Sequence, residues 1–220
     1  MPKSTGRAGA ARAIEQSESV LARTIDVNDL DSLAKRGMHF IPFGLDAVVF
    51  MVGARVSIRS FTTAQLAEIF SGLLTDWREL GQSPGAIRVV YREPTEGSLQ
   101  LIKRHLEPFR TLVFSPEGKQ VYRDFEVIDL LDRFGTGIGF GARSNLASAK
   151  TPVRATALDG VDPTPENIAS GRYPIVQRFG FLHKPSSLTP GARAFLAFVD
   201  SNEGRAVIQQ AEVVPLERKK

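Results

Sequence analysis

The chain has no cysteine among its 220 residues. That removes disulfides, thiol nucleophiles and cysteine-based metal sites together, and it is compatible with either side of a bacterial inner membrane. No apolar run approaches the roughly 18 residues that a membrane-crossing helix needs. Histidine is scarce: His39, His105 and His183 are the three present, and their spacing matches no metal-ligand pattern. There is no Gly-x-Ser-x-Gly elbow and no evident nucleophile and base pair. Gly135 to Gly141 has glycine at alternate positions but lacks the Gly-x-Gly-x-x-Gly register, and suits a tight turn into a strand. No catalytic residue, metal site or cofactor is therefore expected, and the chain reads as a non-enzyme. Charge of one sign is also in short supply. The 28 Lys and Arg against 24 Asp and Glu leave a formal net charge of +4, with the basic residues scattered. This favours anionic partners weakly and does not indicate nucleic acid. Met1 to Arg12 is basic and rich in Gly and Ala, but no apolar h-region follows it. Two expectations stay open: a cytoplasmic protein if Met1 is the native start, or a periplasmic or extracellular one whose export signal has been removed.

What is present is an ordinary folded composition, 42% hydrophobic and 24% charged, in a chain long enough for one large domain or two lobes of about 100 residues. Helices are expected from Gly9 to Leu21 and from Val27 to Arg36, the second capped by Asn28 or Asp29. Within Met38 to Val52, the run Ala47-Val48-Val49-Phe50-Met51 is continuously apolar, as in a strand buried on both faces, which predicts a sheet covered by helices. Thr62 begins a helix with Leu66, Ile69 and Phe70 on one side and Gly72 as its C-cap. Further helices are expected over Val127 to Phe134, Pro190 to Ser201 and Glu203 to Gln210, and strands over Gly137 to Phe140 and Phe179 to Leu182. Strands alternating with helices define an α/β fold.

The segment richest in chemistry joins the strand Ile87 to Tyr91 to a helix starting near Gly97, through Arg92-Glu93-Pro94-Thr95-Glu96-Gly97-Ser98. A helix start offers free backbone N–H groups and the positive end of the helix dipole, so Gly97 and Ser98 can hold an anion, and Arg92 can add a bidentate contact. A plain structural turn is the alternative, with Glu96 capping the helix, a placement worth roughly 0.3–1 kcal/mol.

Phe61 to Gly81 (FTTAQLAEIFSGLLTDWRELG) resembles the corresponding segment of the phosphate-type solute-binding proteins of ABC transporters. Val89-Val90-Tyr91-Arg92 and the Glu96-Gly97-Ser98 loop stand where that family has an Arg followed by Ser-Gly-Thr. Asp159 to Pro174 (DGVDPTPENIASGRYP) and the closing Phe195 to Ser201, Glu203-Gly204 and Val214-Pro215-Leu216 are similar to two more family stretches. The resemblance implies a type II periplasmic-binding-protein-like fold, two α/β lobes hinged about a bound ligand. One lobe would be discontinuous, 1–52 plus 178–220, and the other would be 53–177. It also implies capture of phosphate or another small anion, delivery to an ABC transporter permease, and a structural hinge role for Asp46.

Several positions depart from the family. The chain begins at what resembles the family's first helix, Gly6-Arg7-Ala8-Gly9-Ala10, so the first strand is expected to be missing by trimming or divergence, leaving a sheet position through which dimerisation is possible. Arg7 stands for a helix-start serine, Ala22-Arg23-Thr24 for a ligand loop, and Glu96 for the first serine of Ser-Gly-Thr. The expected ligand residues are thus Arg92, Glu96, Gly97, Ser98, Arg7, Arg23 and Thr24, with solvated surface arginines as the alternative for Arg7 and Arg23. An ionised Glu96 beside phosphate puts simple phosphate binding in doubt. A sensory or interaction module that kept the fold with an altered pocket is the competing function.

Overall fold

A computed structural model describes residues 6–25 and 30–216. The elements in chain order are α1 (Gly6–Glu15), β1 (Ala22–Ile25), α2 (Leu30–Lys35), β2 (His39–Val52), β3 (Ser60–Phe61), α3 (Thr63–Ser71), β4 (Arg88–Arg92), α4 (Gly97–His105), β5 (Lys119–Val121), α5 (Asp124–Phe134), β6 (Gly137–Ala142), α6 (Arg143–Ser148), β7 (Arg154–Ala155), β8 (Ala157–Leu158), α7 (Pro165–Ala169), β9 (Val176–His183), α8 (Pro190–Asp200), α9 (Asn202–Gln210) and β10 (Val214–Pro215). The fold is α/β, and the chain divides into two compact units, 1–45 with 177–220 and 46–176. The first division falls before the apolar run rather than after it, because Val48–Val52 is bonded to β6 and β7 of the central unit. The expected caps Asn28 and Asp29 lie outside the described residues.

In the central unit, β6, β4 and β5 are consecutive parallel neighbours, and β2 pairs antiparallel with β6. Ala47 to Val52 is almost inaccessible to solvent, as a strand covered on both faces must be. Phe50 is its centre, with ring centroids 5.8 Å from Phe70 and Phe109 and 6.3 Å from Phe140. Phe70 comes from α3, whose limits are written locally. Thr62 accepts from the Gln65 N–H at 3.1 Å while the Gln65 side chain accepts from the Thr62 N–H at 2.9 Å, a reciprocal capping box. At the other end Gly72 adopts φ 84°, and a Cβ there would lie 2.7 Å from Ser115 Oγ, so only glycine serves. Trp77 is buried in this unit and donates its indole N–H to Thr136 O at 2.8 Å, which makes it a core anchor.

In the discontinuous unit, β9 lies between β1 and the first half of β2, and β10 adds to β2. A small cluster of Ile14, Leu33, Met38 and Leu182 forms its buried core, with Ala11, Ala22 and Phe40 against it. Other aromatic residues, Phe43, Phe179 and Phe181, are only half-buried. Phe195 of α8 packs edge-on to Phe181 at 5.4 Å yet stays 44% exposed. Helix α9 approaches α8 closely at Gly204, where a Cβ would meet the Phe198 carbonyl.

Candidate functional site

Three parallel strands place three helix starts at one end of the central sheet. Strand β4 leads into α4, β5 into α5 and β6 into α6. In open α/β sheets this carboxyl end is where ligands bind, because loops and helix N-termini converge there. Arg92 ends β4 and is only 7% exposed. Its Nε donates to Glu93 Oε2 at 3.1 Å, and its Nη2 donates to the Tyr122 carbonyl at 2.9 Å and more weakly to Glu93 Oε1 at 3.4 Å. Its Nη1 donates to Asp124 Oδ1 and lies 4.0 Å from Glu96 Oε1. Asn145 at the start of α6 donates to the other Asp124 oxygen at 3.0 Å, so the loops after β4, β5 and β6 are tied together around one guanidinium.

Helix α4 carries the second feature. Its N-cap is Glu96, whose Oε2 accepts from the Ser98 N–H at 2.7 Å and the Leu99 N–H at 3.1 Å. The carboxylate therefore sits where the helix dipole and the unpaired N–H groups attract negative charge. Both readings of this loop meet here: Glu96 caps the helix, and it does so beside the arginine expected to hold an anion. Gly97 opens α4, and Ser98 is buried behind the cap. With Arg92 facing Glu93, Glu96 and Asp124, the cluster holds one positive and three negative groups.

The structure brings Arg92, Glu96, Gly97 and Ser98 together. Arg23 and Thr24 are neighbours on β1 in the other unit. Arg23 is exposed with its guanidinium 5.3 Å from the Phe179 ring centroid, while Thr24 is buried and its hydroxyl donates to the Ile25 carbonyl at 3.3 Å. Arg7 falls within α1, and its side chain lies outside the described residues. Sequence reasoning missed Glu93, Asp124 and Asn145. The available signal was a second strand-to-helix junction at Val121 to Asp124, hidden because β5 is only three residues long.

Asp46 lies at the same end of the central sheet and is fully buried. It accepts from the Ala47 N–H at 2.8 Å, from the Ser144 N–H at 3.2 Å and from the Ser144 hydroxyl at 2.6 Å. Burial pushes its carboxyl above the ordinary value of 3.8, against the opposing pull of the Ser144 and Ala47 hydrogen bonds and the Arg143 charge. With all these partners inside the protein, Asp46 fastens the start of α6. A cavity of about 710 Å³ opens from Asp124 and Asn145 between α5 and α6, and Asp129, Asp132 and a single Lys150 line it beside Phe125 and Ile128. Its charge suits no anion. Among the described residues no cluster of metal-ligating side chains is found, and no helix is long and apolar enough to cross a membrane.

The chain thus has two units, and the central one carries a charged cluster at the carboxyl end of its sheet. The family described as the PBP superfamily domain matches residues 8–203, and the chain belongs to it. The phosphate-binding protein PstS of Borreliella burgdorferi is 23% identical over 198 residues, covering 87% of this chain and 70% of the relative. PstS of Bacillus subtilis is 26% identical over 175 residues, 77% of this chain but only 56% of the relative, so the chain spans a little over half of that protein's length. Among solved structures, a Clostridium perfringens protein described as a phosphate ABC transporter substrate-binding protein, with phosphate bound, superposes with a TM-score of 0.80 at 20% identity, covering 96% of this chain and 85% of that one. At that identity the superposition establishes the shared fold.

Proposed function

We propose that this chain is a solute-binding protein that captures phosphate or a related small anion and presents it to an ABC transporter permease. The observation that supports it best is the carboxyl end of the central sheet, where a buried arginine and the N-terminus of α4 converge. Both are anion-recognition elements, and neither requires a metal or cofactor. In a family member whose relatives are named for phosphate binding, that pairing favours a receptor over an enzyme. Binding would exchange the internal carboxylate partners of Arg92 for ligand oxygens. A periplasmic or extracellular setting fits a transport receptor, and the outer edge of β1, paired by no other described strand, is where a second copy would add.

Thermal unfolding in the presence of phosphate, sulfate, phosphonates and small carboxylates tests the reading, because a ligand that binds only the folded state raises its stability by mass action. A rise in Tm that grows with the concentration of one anion is expected. No rise with any of them would remove the receptor function.

A further inference from the structure

The anion-recognition elements of the central unit are already occupied by the chain itself. Glu96 places one carboxylate oxygen on two N–H groups of α4, at 2.7 and 3.1 Å, and the other 4.0 Å from the Arg92 guanidinium. One carboxylate thus bonds to the helix N-terminus and stands within ion-pair range of the arginine, the two elements that an incoming oxyanion would need. The rest of Arg92 is taken up by Glu93, Asp124 and the Tyr122 carbonyl. An oxyanion arriving here finds its donors engaged and meets an excess of negative charge. Repulsion between like charges at such distances is strong wherever water is partly excluded, and the Glu96 side chain is only 13% exposed.

We infer that Glu96 is the specificity-determining residue of this site, an internal anion that holds the α4 N-terminus against free, multiply charged oxyanions. The inference rests on the proposed role of the site as an anion receptor. A ligand must displace the Glu96 carboxylate or tolerate it, so each added negative charge on the ligand weakens binding. Removing the carboxylate while keeping a helix cap should open the site. Serine does this, since its hydroxyl caps a helix about as well as a carboxylate but carries no charge. Aspartate keeps both the cap and the charge.

The test is calorimetric titration of inorganic phosphate into the wild-type protein, Glu96→Ser and Glu96→Asp, with circular dichroism and thermal unfolding to confirm that each variant is folded. The expected result is at least about a tenfold gain in phosphate affinity for Glu96→Ser, with Glu96→Asp close to wild type. If wild type binds phosphate and Glu96→Ser binds it no more tightly, the assignment of Glu96 is overturned while the receptor reading stands. An equal gain in Glu96→Asp would overturn it too, since charge would then not be the cause. If neither wild type nor Glu96→Ser binds phosphate, sulfate or a small carboxylate, the inference and the receptor reading fall together.

Discussion

The two units are built from the same kinds of element but differ in how they spend their aromatic residues. The central unit has a cluster in which Phe50, Phe70, Phe109 and Phe140 are essentially inaccessible and packed together, although Tyr122 and Phe125 of the same unit are 67% and 61% exposed. In the discontinuous unit Phe43, Phe179 and Phe181 are half-buried, and Phe195 and Phe198 are 44% and 47% exposed. Burial of apolar area is the main source of stability, so a ring of the buried cluster should contribute more than any of the half-buried rings. The electrostatics differ in the same direction. Arg92 is buried within a ring of carboxylates, whereas Arg23 is exposed on an edge strand. The proposed anion site lies in the unit that holds the buried aromatic cluster.

Alanine at Phe50 should cost about 3–5 kcal/mol by chemical denaturation, as deletion of a fully packed ring does. Alanine at the half-buried Phe181 should cost only about 1 kcal/mol, in proportion to the apolar area removed from water. Equal losses at the two positions would break the comparison. Replacing Arg92 by Met should destabilise by about 2–3 kcal/mol. That is less than for a fully enclosed pair, since Asp124 is 41% exposed on its side chain. Thr62→Ala should remove the α3 cap at a cost of about 1 kcal/mol, measurable as a shift in the denaturation midpoint.

The smallest effect expected is one of pH. Burial raises the Asp46 carboxyl above 3.8, so the folded state holds this proton to higher pH than the unfolded chain does. Its contribution is therefore fully present below 3.8 and is lost as pH rises through the folded-state value. Asp46→Asn should flatten this part of the stability curve. A curve unchanged from wild type between pH 3 and 7 would show that Asp46 does not titrate in this way.

Much of the fold was legible in local chemistry. Thr62 and Gly72 marked both ends of α3, and the apolar run to Val52 marked a strand covered on both faces. The ends of the early helices were less so: α1 stops at Glu15, well before the expected Leu21, and α2 stops at Lys35. The loop after β4 was legible as chemistry because a glycine and a serine follow an arginine at a strand-to-helix junction. Its partners were not. Asp124 and Asn145 reach Arg92 across 32 residues and, through Asp124, from a further 21. Such contacts depend on the parallel order β6-β4-β5, which no periodicity reveals. The double role of Glu96, cap and counter-charge, likewise needed the distance to Arg92.

The most direct test is a calorimetric titration of the anion that gives the largest thermal shift, run on wild type and on Arg92→Met after both are shown to be folded. The account predicts saturable binding to wild type that Arg92→Met lacks or shows at least about tenfold more weakly. Equal affinity in the two proteins would contradict it, and would move the anion site away from the carboxyl end of the central sheet.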